Sequence, residues 1–444
     1  MKQRLIGTLF AICLFFTACG NLEQEYQGAS TVVPVAAPPP NLGATNWGQP
    51  IHQDVARGAN DFAFRLSAAL LADMGDENFI ASPFSVWMPL AALANVTNET
   101  HRPALLEAIG AKGSEADAVN QAAARMLFDL TNQAARRHNP DWPNPLHIAN
   151  GMFASQRVTI NQAFAQIFAD YYQGGIMNVD FLHYHAAYAI NRWAYDNTYG
   201  LIYQMVSPKD FDERTAAVIA NAIYFSDSWW RKFDPALTQR GNFYGMHLIN
   251  QAYLMEMAWQ EHDPVLYFED DVTQALTLNF ETGGGITIML PKNGDATGLL
   301  ASMTLEYFEH MLARENKQLA QGRLVLPRFS IENNHNNLPY VLTNMGIPLF
   351  DEFAAPLSGE NGLLAVGPPR VWLSDAMQTA LIELDEEGAT AAAVTLMIAV
   401  AESAPPPAQT TFEMICNRPF AFILHKNTID GGNQILFTGV VNQP

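Results

Sequence analysis

Residues 386–407 read EEGATAAAVTLMIAVAESAPPP, and this stretch decides how the rest of the chain is interpreted. Two glutamates and a glycine open it, and the thirteen residues 389–401 contain neither a charge nor a glycine. Prolines at 405–407 close the run, and proline disrupts both helices and central strands. Taken alone, the run is compatible with a buried strand, an alanine-rich core helix or a strand held in reserve.

Alternate side chains of a strand share one face, so the run would present two different faces. One face would carry Ala389, Ala391, Ala393, Thr395, Met397 and Ala399. The other face would carry Thr390, Ala392, Val394, Leu396, Ile398 and Val400. A charge on a face buried beneath a sheet would cost several kcal/mol, and this run has none. Small, uncharged side chains are what a strand needs if it must slide between two existing strands.

The overall charge excludes several classes of partner. The 444 residues include 44 acidic and 24 basic side chains, for a formal charge of −20. Arg136–Arg137 is the local basic pair, and it is too small to form a basic tract. We therefore expect neither nucleic-acid binding nor a heparin site.

The amino terminus has the features of an export signal. Lys2 and Arg4 precede an apolar segment of twelve residues, LIGTLFAICLFF, which is too short for a resident membrane helix. The segment ends in FTAC-G and resembles the lipobox of bacterial lipoproteins, in which Cys19 is lipidated and becomes the new amino terminus, although Phe16 replaces the usual leucine. Ordinary signal-peptidase cleavage near Ala18 is the alternative. The resemblance implies an exported, membrane-anchored protein at the bacterial cell surface or periplasm, with secretion as the other possibility.

The domain organisation is simple. Residues 20–50 are rich in Pro, Gly, Ser and Ala and predict a flexible tether. Residues 51–444 contain no second linker or repeat, which indicates one large domain. Cys416 is the cysteine left after processing, and we expect a half-buried packing thiol there rather than a reactive one.

The hydrophobic patterns predict an α+β fold. Helices are expected early, as in NDFAFRLSAALLADMG (60–75) and in a segment that begins at Ser82 with Pro83 in the first turn. INQAFAQIFADYYQG (160–174) and AAYAINRWAYDNTYG (186–200) end in glycine, as helix ends often do. The second half is rich in alternating and β-branched segments, which predict mostly antiparallel sheets.

A search for catalytic motifs finds none of useful specificity. The chain lacks G-x-S-x-G, H-E-x-x-H, a phosphate loop and a calcium-loop spacing. His183 and His185 would share a face on a strand, but no third metal ligand accompanies them, so two exposed polar residues are the better interpretation. The triple glycine 283–285 precedes a strand and predicts a hairpin turn. We therefore expect no cofactor, no metal and no enzyme activity, although a lipoprotein hydrolase is a third class to test.

Four segments in order together resemble the serpin family. NFIASPFSV (78–86) resembles the start of the family's helix B, and INRWAYDNTYGLI (190–202) keeps its N-x-W-x-x-x-x-T-x-G-x-I pattern. NAIYFSDSWWRKF (221–233) is close to N-A-I-Y-F-K-G-x-W-x-x-x-F, and 418–444 resembles the closing hairpin. The resemblance implies three β-sheets, eight or nine helices and an exposed reactive-centre loop at about 386–411.

In that family the opening stretch is the hinge of a bait loop. The hinge positions are Glu386, Glu387, Gly388, Ala389, Thr390, Ala391, Ala392 and Ala393. A target serine protease attacks the loop, and the cleaved loop then inserts into the central sheet and traps the acyl-enzyme. The resemblance therefore implies a monomeric suicide-substrate inhibitor, with a non-inhibitory binding protein of the same fold as the alternative.

The scissile bond follows from a count. In inhibitory members the first hinge glutamate usually lies sixteen residues before the bond, which places the bond at Glu402–Ser403. That bond would suit a glutamate-specific protease. Val400 and Ala401 would suit elastase-like or subtilisin-like enzymes if cleavage is shifted by one or two bonds.

Two gating regions are also implied by the resemblance. Ser82, Ser85 and Asn221 match the family's shutter, and Trp229 matches its breach tryptophan. Gln378 stands where the family has a histidine. Because Gln can still donate and accept hydrogen bonds, we expect an altered but intact network.

Overall fold

Among the described residues, most buried apolar side chains form one large core cluster, which extends from Val55 to Val441, and a second, smaller cluster includes Phe153, Phe181 and Ile190. The computed structural model describes the backbone of 33–36 and residues 52–131, 146–198, 200, 202–368, 370–374, 376–389, 408, 410–428 and 431–444. Among them no helix combines the length and apolar character needed to cross a membrane.

The described part of the chain contains nine α-helices, numbered α1–α9 in chain order. They are Gln53–Leu71, Pro83–Leu93, Arg102–Ala108, Ala116–Thr131, Gln162–Tyr172, His185–Asn197, Ala296–Ala301, Leu305–Leu312 and Leu338–Asn344.

Twenty β-strands, β1–β20, accompany these helices in the described residues. The first ten are Val33–Ala36, Phe79–Ala81, Leu146–Ser155, Thr159–Ile160, Gly174–Val179, Ala217–Phe225, Asp227–Ser228, Gln239–Tyr244, Ile249–Trp259 and Val265–Glu269. The other ten are Thr273–Asn279, Gly285–Pro291, Gln318–Pro327, Phe329–His335, Leu364–Val366, Gln378–Leu384, Gly388–Ala389, Thr410–Ile415, Phe420–Asn427 and Asn433–Val441.

The α+β class predicted from sequence is confirmed, and the described strands form four hydrogen-bonded sheets. One has the order β1-β5-β3-β6, a second has the order β14-β16-β17-β7, and a two-stranded sheet pairs β15 with β4. The ten-stranded sheet runs β2-β20-β19-β12-β11-β10-β13-β9-β8, with β18 paired to β13.

The two four-stranded sheets are halves of one larger layer. Strand β6 of the first sheet ends at Phe225, and β7 of the second begins two residues later at Asp227. Along the length of β6 itself, the described strands show no hydrogen-bonded pairing between β6 and β16. A single central sheet divided by a gap therefore explains why the described sheets exceed the three that were expected.

Several local predictions can be compared with the structure. Helix α1 buries Phe62, Leu66 and Leu70, as the apolar stripe in 60–75 predicted. The prediction that α5 ends at a glycine was wrong, because Gln173 takes the left-handed conformation (φ 54°) and Gly174 already begins β5. Gly174 is instead required by packing, since a Cβ there would lie 2.3 Å or less from the Phe168 ring.

Part of the predicted tether is bound to the domain. Within residues 20–50, strand β1 pairs antiparallel with the sheet-edge strand β5, and Val33 lies opposite Asn178. Pro34 is compatible with this position because it lies on an edge strand. These four residues are paired with the domain, and the rest of 20–50 lies outside the described residues, so the flexible tether stays a prediction.

Candidate functional site

The hinge already begins a strand between the two halves of the central sheet. Gly388 and Ala389 form β17, with Ala389 opposite Leu384 on one side and Asp227 on the other, both antiparallel. Ala389 is completely buried. Only a very small residue fits beside it, because a Cβ on Gly388 would lie 2.1 Å from the Asp227 carbonyl oxygen.

The first hinge glutamate is fixed by a partly buried ion pair. The Arg328 guanidinium donates to Glu386 Oε1 from Nη2 at 2.6 Å and from Nε at 3.0 Å, and the Thr238 hydroxyl donates to the same oxygen. Burial acts to raise the pKa of Glu386, but these hydrogen bonds outweigh it and hold the pKa below the ordinary value. Glu386 therefore anchors the loop as a carboxylate.

The backbone around the hinge is held by the predicted breach tryptophan. The Trp229 indole N–H donates to the Asp385 carbonyl oxygen at 2.9 Å, and its backbone N–H donates to the Glu387 carbonyl oxygen at 2.9 Å. The ring stacks on Phe280 with centroids 4.9 Å apart. Lys232 Nζ donates to Glu387 Oε2 at 2.6 Å. The hinge is thus fixed before it turns into the loop.

On one side of the gap, the shutter joins β16 to the start of helix α2. Gln378 Nε2 donates to the Ser82 carbonyl oxygen at 2.6 Å, and Gln378 Oε1 accepts from the Ser82 backbone N–H at 3.1 Å. The Ser82 hydroxyl donates to the Leu436 carbonyl oxygen instead of capping α2. Gln378 therefore does keep a hydrogen-bonded role, and its partner is backbone.

On the other side of the gap, the shutter joins β6 to the same helix. The Ser85 hydroxyl donates to Asn221 Oδ1, and Asn221 Nδ2 donates to Asn150 Oδ1 at 2.8 Å. Asn150 Nδ2 continues the chain to the Tyr172 carbonyl oxygen at 2.6 Å. Each half of the central sheet is therefore tied separately to the first turn of α2.

A histidine does lie at the shutter, one strand away from the expected position. His335 is directly opposite Gln378 in the β14–β16 register. It is buried, and its Nε2 lies 2.7 Å from the Ile80 carbonyl oxygen. Burial lowers the pKa of His335, so the ring is neutral at neutral pH and donates to that oxygen.

Several predicted site residues lie outside the described residues. They are Thr390, Ala391, Ala392, Ala393, Val400, Ala401, Glu402, Ser403 and Cys19. The structure brings together Glu386, Glu387, Gly388, Ala389 and Trp229 at the breach, and Ser82, Ser85, Asn221 and Gln378 at the shutter. Sequence reasoning missed Arg328, Lys232 and Asn150. Lys232 stands at an unspecified position of the 221–233 motif, and Arg328 and Asn150 lie outside the four motif segments.

The remaining candidate residues from the sequence are His183, His185 and Cys416. His183 lies in a turn and pairs with Asp180 at 2.9 Å, while His185 begins α6, so the suggestion of a shared strand was wrong. The described ranges contain no group of three or more side chains suited to a metal. Cys416 is completely buried rather than half-buried, and burial raises its thiol pKa.

Helix α4 contains one basic residue, Arg125, and its side chain is paired within the helix. Arg125 donates to Asp129 at 3.0 Å, and both side chains are largely buried. An arginine paired in this way adds little positive potential to the surface.

Comparisons with known proteins match the whole domain. The family described as "Serpin (serine protease inhibitor)" matches residues 57–444. Antichymotrypsin-2 of Bombyx mori is 30% identical over 397 residues, which cover 87% of this chain and 98% of that protein. Antithrombin-III of Homo sapiens is 31% identical over 302 residues, which cover 67% of this chain and 62% of that protein.

Solved structures show the same fold. The native state of the thermophilic serpin tengpin aligns with a TM-score of 0.71 at 21% identity, over 94% of this chain and 98% of that one. Fold and site together define a protein whose divided central sheet holds the first residues of a loop as an additional strand. The chain belongs to the serpin family, which is a family of protease inhibitors and in general not of enzymes.

Proposed function

We propose that the protein inhibits serine proteases as a suicide substrate. The protease serine Oγ attacks the carbonyl carbon of the scissile residue, the peptide bond breaks, and the new amino terminus leaves with the proton. The loop then enters the central sheet and carries the ester-linked protease with it. The observation that carries this proposal is the position of Gly388 and Ala389, which already form a strand between Leu384 and Asp227.

The register of this short strand defines the path of insertion. Ala389 lies opposite Asp227 and Leu384, so Ala393 would lie opposite Ile223 and Ala380 if the strand continued in the same register. Alternate positions would then face the core, as Ala389 does.

Further along, the same register reaches the shutter. Thr395 would lie between Asn221 and Gln378, above the first turn of helix α2. Its hydroxyl could share hydrogen bonds there, while the flanking residues would place only uncharged side chains against the core. The composition of the loop therefore suits the space that the sheet offers.

The proposed bond is Glu402–Ser403, which suits a glutamate-specific protease. Cleavage after Val400 or Ala401 would direct the inhibitor to elastase-like or subtilisin-like enzymes. Mass spectrometry of the carboxyl-terminal peptide released by each protease identifies the bond. A peptide that begins at Ser403 is expected with the glutamyl enzyme.

The deciding experiment mixes the intact protein with these proteases and analyses the products by denaturing electrophoresis. A complex that survives boiling in detergent is expected, together with a large rise in melting temperature after loop cleavage. If every protease cleaves the loop and stays active, and the melting temperature does not change, the protein is instead a non-inhibitory member of the fold.

The location of the inhibitor is a separate part of the proposal. Acylated Cys19 would anchor it to a bacterial membrane as a monomer, with the domain exposed at the surface or in the periplasm. Metabolic labelling with a palmitate analogue should label the protein, and Cys19→Ser should abolish the label. A mature amino terminus at another residue, without the label, would indicate secretion.

A further inference from the structure

A completely buried lysine lies beneath the breach and takes no part in the mechanism proposed above. Lys426, in β19, is 0% exposed. Its Nζ lies 3.0 Å from Asp227 Oδ2, donates to the Gly283 carbonyl oxygen at 2.8 Å, and is hydrogen-bonded to the Thr282 hydroxyl. The Thr282 hydroxyl also bonds Asp227 Oδ2, and the lysine lies over the Phe225 ring. Each polar group in this cluster has a partner.

Asp227 belongs to the buried cluster and to the entrance of the gap at the same time. Its side chain bonds to Lys426 and Thr282 of the ten-stranded sheet region below. Its backbone lies opposite Ala389 in the register of β7 and β17. The contact is close, because a Cβ on Gly388 would overlap the Asp227 carbonyl oxygen. The edge that receives the loop is therefore joined to the underlying sheet region by the Asp227 side chain, in addition to backbone hydrogen bonds from Glu281 N–H to the Ser228 carbonyl oxygen and from Trp230 N–H to the Asn279 carbonyl oxygen.

This connection is a departure from the family pattern. In N-A-I-Y-F-K-G-x-W, the segment NAIYFSDSW places Asp227 where the pattern has glycine. A glycine has no side chain with which to bond Lys426. A buried ion pair is rarely a source of stability, because the cost of removing both charges from water offsets their attraction. Its location at the entrance suggests a positional role.

We propose that the Asp227–Lys426 ion pair is a positioning device for loop insertion. It holds residues 227–228 two strand spacings from Leu384, so that Gly388 and Ala389 are kept in register between them and the remaining loop can follow. This inference rests on the proposed inhibitory function, but its first consequence, protection of the hinge, is a property of the uncleaved protein. Asp227 and Lys426 would act through the hinge, as positioning residues.

The first test compares amide hydrogen exchange in uncleaved wild type and Lys426→Met. Loss of the lysine leaves a buried carboxylate without its cation, so opening at 227–229 and 387–389 should increase at least about a hundredfold. Lys112→Met is the matched control, because Lys112 pairs with Glu107 on the exposed surface. It should leave exchange at the hinge unchanged.

Two further variants separate positioning from general stability. Leu106→Ala truncates a buried side chain in α3, so it should lower the melting temperature without changing exchange at the hinge. Asp227→Asn combined with Lys426→Met removes both charges, so its melting temperature should be close to that of wild type. If the pair positions the edge, this double variant should still show fast hinge exchange, and a larger fraction of it should be cleaved without trapping the protease.

The outcomes distinguish the two proposals. Wild-type exchange at 387–389 in Lys426→Met, or a double variant that regains both wild-type exchange and trapping, would overturn the positioning role. A wild-type protein that traps no protease would overturn the inhibitory function. In that case, the exchange comparison would still decide whether the ion pair holds the hinge.

Discussion

A single glutamate placed on either face of the inserting strand tests the register of the loop. Continuing β17 places Ala393 on the face that points to the core, opposite Ala380, which is 2% exposed. Ala392 is the neighbouring residue and would point to the outer face. Ala393→Glu and Ala392→Glu therefore introduce the same charge, one residue apart, into opposite environments.

The expected difference is large. A carboxylate buried without a cation costs several kcal/mol, of which about 3 kcal/mol is a conservative share. If this cost is felt while the loop is entering the sheet, insertion slows by about 100-fold, since each 1.36 kcal/mol is a factor of ten. The same charge on the outer face can remain in water and should change the rate by less than about twofold.

The assay measures how many inhibitor molecules are consumed for each protease trapped. Ala393→Glu should be cleaved almost entirely as a substrate and gain little melting temperature on cleavage, while Ala392→Glu should behave as wild type. The reverse result would mean that the register is shifted by one residue. Equal and full inhibition by both variants would refute insertion along this path.

Other changes test the fixed parts of the site. Gln378→Ala removes both hydrogen bonds to the Ser82 backbone. The melting temperature should therefore fall by an amount equivalent to about 1–3 kcal/mol for each buried group left without a partner. An unchanged melting temperature would mean that water replaces the amide. Because the pKa of Glu386 is lowered, its pair with Arg328 stabilises the fold above the ordinary glutamate pKa, and this stability is lost as pH falls through the pKa of the folded state. Glu386→Gln should therefore have a lower melting temperature than wild type at pH 7, and the two melting temperatures should converge in acid. Cys416, buried with a raised thiol pKa, should react with iodoacetamide only after unfolding, as peptide mapping will show.

The sequence predicted those features that depend on short, ordered motifs. The hinge, the breach tryptophan and the shutter serines lie in segments whose residue order is distinctive. The structure brings Glu386–Ala389 next to Trp229, and Ser82 and Ser85 next to Gln378 and Asn221. Arg328 and Lys426 could not be predicted in this way. Their roles arise from contacts with Glu386 and Asp227 across 58 and 199 positions, and a lysine in an otherwise ordinary strand gives no sign that it is buried.

Gln378 shows why a substitution at a gate cannot be judged from its own position. From the sequence, Gln378 was expected to replace the family histidine in an altered but intact hydrogen-bond network. In the structure Gln378 bonds the backbone of Ser82, Asn221 bonds Ser85, and His335 occupies the adjacent strand. Because both halves are tied to the first turn of helix α2, separating them at the gap must strain these hydrogen bonds or shift the helix. The gate therefore depends on helix α2, to which both halves are bonded. Within the described residues no hydrogen bond joins the Gln378 and Asn221 side chains directly, so the loop does not have to break one there.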